Sequence, residues 1–179
     1  LPHPVVLYGD SYSARWLRHL VTQVLRFNAS ILIFGAPGCG KGSLRDFVAQ
    51  QLPHRDRFHF DCRRQRATDL VRWANETHGK LLVCMTGIDE LSPAQQEIVL
   101  ALMNEHRERL RFVSTTCSHP VALRARGGLW VELLAELDSL RLELPSLADR
   151  KEDIDQIARC MVREYSRQWN RPLSIAHQA

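Results

Sequence analysis

The sequence lacks the cysteine spacing that a zinc site or a disulfide framework requires. Its five cysteines are spread singly through 179 residues, and no two of them form a Cys-x-x-Cys pair. This spacing excludes the common structural zinc motifs and a small disulfide-stapled fold, and it fits a reducing compartment. The cysteines are Cys39, Cys62, Cys84, Cys117 and Cys160.

Long apolar runs and a strong excess of one charge are also missing. No stretch approaches the ~20 apolar residues of a membrane span, so no membrane partner is expected. The formal net charge is +4, from 24 basic and 20 acidic residues. No basic cluster interleaved with aromatic residues points to direct nucleic-acid binding. The chain begins at Leu1 rather than Met and shows no signal-peptide pattern, so we expect a cytoplasmic piece of a longer protein.

Short apolar runs alternate with amphipathic stretches along the chain. The runs typical of strands are SILIFG, RFHFD, KLLVCM, LRFVSTT and SLRLEL, and helical patterns separate them. This alternation predicts an α/β fold with a parallel five-stranded sheet that is covered by helices on both faces.

Several helix boundaries can be predicted from capping signals and apolar spacing. Asp10 or Ser11 can cap the first helix, and Lys41 to Leu52 forms the second. Ser92 and Gln95 form a capping box around Pro93 at another helix start. Further helices are expected at RATDLVRWANETHG, at residues 129–137 and at residues 148–168, the last with an apolar stripe of Ile154, Ile157, Met161 and Tyr165.

The segment ILIFGAPGCGKGS carries the most specific motif. Gly35, Gly40 and Lys41 match the spacing of a phosphate loop, and the segment lies between a predicted strand and a predicted helix. There, main-chain N–H groups and the helix N-terminus can converge on phosphate oxygens, and Lys41 can reach the outer phosphates. Gly42 follows the lysine where a magnesium-binding hydroxyl is usual, so Ser43 becomes a metal candidate. The predicted nucleotide-binding residues of the loop are Gly35, Ala36, Pro37, Gly38, Cys39, Gly40, Lys41, Gly42 and Ser43.

Further motifs resemble the AAA+ central domain of sigma-54-dependent transcriptional activators. RFHFDC resembles that family's PFVxxNC, IDELSPAQQEIVLALM resembles xGELSxxxQxxLLRxL, and LELPSLADRKEDI is similar to LRLPPLRERxEDI. The resemblance implies a P-loop AAA+ three-layer sandwich over residues 1–145 and the beginning of a helical lid over residues 146–179. It also implies bound ATP or ADP, with Leu7 and Tyr8 beside the adenine.

Two departures from that family concern the phosphate chemistry. The family's acidic pair after the third strand falls on Thr86 and Gly87, and its sensor asparagine falls on Cys117. Asp89 and Glu90 lie three residues further on. They are the candidate catalytic acids, and Asp89 is also a metal candidate, if the third strand ends later than Met85.

Two more departures concern partners. The segment 63–79 lacks the GAFTGA loop with which the family contacts sigma-54, and the arginine fingers fall on Trp130 and Glu136. We therefore expect a monomer or dimer that meets RNA polymerase or DNA only through its full-length parent. The basic stretch RRQRATDLVRW leaves a cyclic dinucleotide or a partner protein open as an effector.

The predicted function is that of an ATP- or ADP-binding AAA+ domain in a transcriptional regulator. The departures predict impaired hydrolysis, at most a weak ATPase, and an inability to remodel sigma-54. Mg²⁺ is left open as a companion of the nucleotide. Two alternatives also stay open: a dimerisation or docking module that binds no nucleotide, and an active ATPase that uses Asp89 and Glu90 as its acidic pair.

Overall fold

A parallel sheet of five strands forms the centre of the molecule. The computed structural model describes residue 4, residues 7–52 and residues 56–174. The strands lie in the order β2-β3-β4-β1-β5, and every pair is parallel, as predicted. They are β1 (Ile31–Gly35), β2 (Asp56–Asp61), β3 (Leu81–Thr86), β4 (Leu110–Thr116) and β5 (Leu140–Leu144). The outer ends of the two predicted subdomains, residues 1–3 and 175–179, fall outside the described residues.

Seven α-helices precede, connect and follow these strands in the described ranges. They are α1 (Tyr12–Val24), α2 (Lys41–Gln51), α3 (Ala67–Glu76), α4 (Pro93–Glu105), α5 (Pro120–Arg126), α6 (Val131–Leu137) and α7 (Ile154–Gln168). Ser11, one of the two predicted caps, caps α1 by accepting the N–H of Ala14 at 3.0 Å. The predicted capping box of Ser92 and Gln95 forms at the start of α4.

The sheet divides the apolar core into two layers. Leu81, Val83 and Met85 of β3 face a cluster that includes residues of α3, α4 and α6. Leu82 and Cys84, which alternate with them, face a second cluster with residues of α1 and α2. Both faces of the sheet are therefore buried under helices, and the expected three-layer sandwich is confirmed.

The structure corrects three helix predictions. Residues 120–126 form α5, a helix that the sequence pattern did not predict, and α6 begins at Val131 rather than at residue 129. The last helix was predicted to be continuous, but Arg150 has non-helical φ and ψ angles of −142° and 52°. A 3₁₀ segment therefore occupies Leu147–Asp153, and regular helix begins at Ile154.

The predicted apolar stripe of α7 packs only in part. Ile157 is buried against the domain, whereas Ile154, Met161 and Tyr165 are exposed. None of the described helices has the length and apolarity that crossing a bilayer requires.

Candidate functional site

A cleft of about 470 Å³ opens at the carboxyl end of the sheet. Ligands of open α/β folds bind at this edge because the loops after the strands diverge there. The phosphate loop between β1 and α2 forms one wall with Gly38, Gly40, Lys41, Gly42 and Ser43. Residues at the carboxyl ends of β2, β3 and β4 form the remainder, so the fold assembles residues from four separate stretches of sequence at one site.

Two glycines of the loop are required by its backbone. Gly40 stands directly before α2 with φ of 98°, in the left-handed region that favours glycine. A Cβ atom at Gly35 would lie 2.5 Å from the carbonyl oxygen of Leu144 on β5. The loop can therefore approach β5 and turn into α2 only with glycine at these positions.

Lys41 is the first residue of α2 and is folded back over the loop. Its Nζ donates hydrogen bonds to the carbonyl oxygens of Gly35 at 2.9 Å and Ala36 at 2.8 Å. The ammonium group therefore lies at the cleft with its donors directed to main-chain oxygens. Contact with a phosphate would exchange these carbonyl oxygens for phosphate oxygens.

The two candidate acids occupy different surroundings. Strand β3 ends at Thr86, one residue later than predicted, and a 3₁₀ turn follows at Ile88–Glu90. Asp89 lines the cleft, and its Oδ1 accepts a hydrogen bond from the hydroxyl of Thr116 at 3.0 Å. Glu90 does not belong to the cleft lining; its Oε1 pairs with Nη2 of Arg63 at 2.5 Å. The structure thus brings one of the two acids beside the phosphate loop.

Arg45 is a component of this region that the sequence analysis missed. It lies one helical turn after Lys41 on α2, and its Nη1 donates a hydrogen bond to the hydroxyl of Thr86 at the end of β3. The same guanidinium pairs with Asp46, whose Oδ1 lies 2.7 Å from Nη2. The spacing of four residues from Lys41 was a possible signal, because residues four apart share one helix face.

The residues at this end of β3 do not fit a Mg²⁺ site. Mg²⁺ prefers near-octahedral oxygen ligands, usually with one or two carboxylates. At the strand end itself the side chain is the hydroxyl of Thr86, which already accepts the Arg45 donor. The carboxylate of Asp89, three residues further on, lines the cleft, but its Oδ1 accepts the Thr116 hydroxyl. Gly42 supplies no hydroxyl after the lysine, and Ser43 is exposed at the cleft wall. Within the described ranges, no group of three or more His, Cys, Asp or Glu side chains is suited to a metal ion.

The predicted adenine contacts lie away from this cleft. The Leu7 side chain is buried in the core layer of α1 and α2. A hydrogen bond between the Tyr8 hydroxyl and Cys160 of α7 is the main cause that raises the pKa of Tyr8. Neither residue lines the cleft, so their contact with a nucleotide stays a prediction.

The residues that stand at the family's sensor and arginine-finger positions lie in different parts of the structure. Cys117 lies in the cleft lining, directly after β4. Trp130 precedes α6 and is 38% exposed, and Glu136 on α6 pairs with Arg107 at 3.4 Å. The sensor position, in the cleft lining, therefore carries a thiol, and the finger positions carry no cation.

Comparison with known protein families finds one match that covers most of the chain. A profile of the family described as "Sigma-54 interaction domain" matches residues 8–147. A comparison with curated protein sequences finds no match.

Solved structures share the fold at low sequence identity. NtrX from Brucella abortus in complex with ATP superposes with a TM-score of 0.73 at 18% identity, over 96% of this chain and 44% of that one. Its complex with ADP gives 0.71 at 18% identity, over 94% and 44%. The RuvB Holliday junction branch migration motor of Thermotoga maritima gives 0.61 at 18% identity, over 86% and 52%. The chain thus spans about half the length of these proteins, and the P-loop AAA+ fold is confirmed.

Proposed function

The chain belongs to the sigma-54 interaction domain family, and on that premise we propose that it binds ATP or ADP in the cleft beside Lys41. The observation that carries this proposal is the phosphate loop itself. Its glycines adopt the backbone that the motif needs, its lysine starts a helix of 11 residues, and both line one continuous cleft. A helix N-terminus and loop N–H groups attract phosphate. The NtrX structures with ATP and ADP support the same ligand class.

We further propose that the domain hydrolyses ATP at most weakly. Lys41 and the loop contact the phosphates before and during the reaction alike, and such uniform binding does not speed the chemical step. Rate acceleration in phosphoryl transfer comes from groups that orient water and stabilise transferred charge. Thr86 and Gly87 carry no carboxylate for this purpose, and Trp130 and Glu136 carry no cation.

The connection between β2 and β3 bears on which partner the domain can contact. In this chain the connection between β2 and β3 consists of a turn and helix α3, and the sequence GAFTGA does not occur. We propose a domain of a transcriptional regulator that does not open sigma-54 polymerase complexes and meets RNA polymerase or DNA only through its full-length parent. Strict dependence of its activity on sigma-54 in a reconstituted transcription system would overturn this part.

Calorimetric titration with ATP and with ADP tests the proposed binding. We expect dissociation constants of micromolar to sub-millimolar order, about 5–8 kcal/mol of binding free energy. Lys41→Ala should weaken binding by about tenfold or more, because the loop loses its cation. Lys80→Ala is the matched control, since this exposed lysine directly precedes β3 at the opposite end of the sheet. Absence of binding at millimolar nucleotide would contradict the proposal.

A docking module that binds no nucleotide is the second candidate. It is favoured by one observation: Lys41 already donates to the Gly35 and Ala36 carbonyls, so the loop is satisfied by its own main chain. The titration separates the two, because a docking module would give no heat with either nucleotide. An active ATPase built on Asp89 and Glu90 is the third candidate, and a phosphate-release assay on the same sample tests it.

A further inference from the structure

We propose that nucleotide bound in this cleft is held without a divalent cation, and that the Arg45 guanidinium beside Thr86 supplies the local positive charge instead. The inference rests on the proposed nucleotide binding and concerns the chemistry of the same site. It follows from the mismatch between the residues at the end of β3 and the ligands that Mg²⁺ requires.

Arg45 is a fixed cation rather than a mobile surface side chain. Its side chain is 12% exposed, and Nε and Nη2 both donate to Oδ1 of Asp46, at 2.9 and 2.7 Å. These two bonds orient the guanidinium so that Nη1 reaches the hydroxyl of Thr86.

Both oxygen atoms of Thr86 and one carboxylate oxygen of Asp89 accept hydrogen bonds from protein donors. The hydroxyl of Thr86 accepts Arg45, and its carbonyl oxygen accepts the N–H of Cys62 at 3.1 Å. Oδ1 of Asp89 accepts the Thr116 hydroxyl. A divalent cation placed at Thr86 would also lie beside the Arg45 charge, and like charges a few ångströms apart repel strongly where water is partly excluded.

The charges of the other residues that line the cleft suit a nucleotide without a bound metal ion. Metal-free ATP carries more negative charge than its magnesium complex, and it therefore needs more cationic partners. Lys41, Arg63 and Arg64 all line the cleft, against the two carboxylates of Asp61 and Asp89. Of these carboxylates, Asp61 accepts the N–H of Arg63 and lies 3.7 Å from Arg64. The lining of the cleft thus carries three cations against two carboxylates, and Arg45, which pairs with Asp46 outside that lining, reaches it through Thr86.

The test is calorimetric titration of the chain with ATP and with ADP, once in millimolar MgCl₂ and once in EDTA. We expect the two dissociation constants for each nucleotide to agree within about threefold. Weakening by about tenfold or more in EDTA would overturn the inference while leaving the proposed function intact. Absence of binding in both buffers would overturn both.

Variants test the part that Arg45 plays. Arg45→Ala should weaken binding in EDTA by about tenfold, while Arg72→Ala, which removes an exposed arginine paired with Asp69 on α3, should leave it unchanged. The double variant Arg45→Ala, Thr86→Asp restores a carboxylate at the strand end without the competing guanidinium. Its binding should become stronger in MgCl₂ than in EDTA by about tenfold. Circular dichroism checks that each variant is folded. Equal dissociation constants of the double variant in MgCl₂ and in EDTA would contradict the role assigned to Arg45.

Discussion

The carboxylate of Asp153 accepts two hydrogen bonds from Ser11, which lies 142 residues earlier: one from its main-chain N–H at 2.9 Å and one from its hydroxyl. Asp153 is 1% exposed, and Ser11 is also the cap of α1. This buried contact joins the start of the α/β layers to the residue before α7. The predicted subdomain boundary between residues 145 and 146 stays a prediction, and a polar contact crosses it.

We expect Asp153→Asn to lower the free energy of unfolding by about 1–3 kcal/mol, because an NH₂ group replaces one of the two oxygens that each accept a Ser11 donor, and that buried donor loses its acceptor. Urea denaturation measures the change. Asp155→Asn is the control, since Asp155 is exposed on α7 and pairs with Arg159. That surface variant should change stability little, and equal losses for both variants would contradict a special role for Asp153.

The stabilisation by Asp153 should depend on pH in a defined direction. Burial opposes the charged carboxylate, but the hydrogen bonds from Ser11 and Asp10 and the charge of Arg150 outweigh it, so the pKa of Asp153 lies below its ordinary value of 3.8. A lowered pKa stabilises the fold above the unfolded-state pKa, and this contribution is lost as pH falls through the folded-state pKa. The stability gap between wild type and Asp153→Asn should therefore be constant above about pH 5 and shrink below it. A gap that does not shrink on acidification would contradict this account.

Much of the fold could be predicted because its signals are local. Strand β4 matches the predicted LRFVSTT residue for residue, and the capping box at Ser92 fixes the start of α4. Helices α5 and α6 both have seven residues, but α6 buries three leucines whereas α5 buries only Pro120 and Leu123, so apolar spacing did not reveal α5. Pro120 at the start of α5 and Gly127 at its end are nevertheless standard boundary residues.

The phosphate loop was predictable from local spacing, and the family resemblance also pointed to Asp89 and Cys117, which line the same cleft. The phosphate loop could be read directly because its glycines and lysine lie within seven residues. The bond between Arg45 and Thr86 joins residues 41 positions apart, and no local pattern marks it. The kink at Arg150 was missed for a similar reason, since a buried arginine in the 3₁₀ segment depends on tertiary surroundings rather than on helix propensity.

Cysteine labelling should report nucleotide in the cleft. Cys117 is exposed and lines the cleft, whereas burial raises the pKa of Cys62 to about 12 and that of Cys84 to about 11. Because the thiolate is the reactive form, an alkylating reagent at neutral pH should modify Cys117 long before the two buried thiols. Mass spectrometry should show that ATP slows labelling of Cys117 in the wild type, and that this protection is lost in Lys41→Ala. Labelling of Cys117 that ATP leaves unchanged in the wild type would argue against nucleotide in this cleft.

Oligomeric state should not respond to nucleotide. The resemblance to sigma-54 activators implies rings in which an arginine from one subunit reaches the nucleotide of the next. Here those positions carry Trp130 and Glu136, and Glu136 already pairs with Arg107 on its own chain. Light scattering should therefore give a monomer or dimer with and without ATP. A shift to a hexamer on adding ATP would show that another residue, such as the exposed Arg124 or Arg126, bridges the subunits.

The last prediction is that ATP turnover stays near background. An arginine finger alone contributes about 10³–10⁵ in rate in comparable P-loop proteins, and the finger positions here lack a cation. Glu90 pairs with Arg63 at 2.5 Å and does not line the cleft, so Asp89 is the only member of the candidate acidic pair that the cleft lining contains. Phosphate release by the purified chain should match that of Lys41→Ala.

An active ATPase would give a different and recognisable set of results. If Asp89 and Glu90 act as the acidic pair, hydrolysis will be measurable, and Glu90→Gln will abolish it while ATP binding measured by calorimetry stays intact. Arg63→Ala, assayed at saturating ATP because Arg63 also lines the cleft, is the companion variant: it frees Glu90 from its ion pair without removing the carboxylate. If Glu90 is a catalytic acid, turnover should rise in Arg63→Ala. If Glu90 has no catalytic role, turnover should stay at background in that variant. Activity that is lost in Glu90→Gln and raised in Arg63→Ala would therefore establish the domain as an ATPase whose acids lie three residues beyond the family's position.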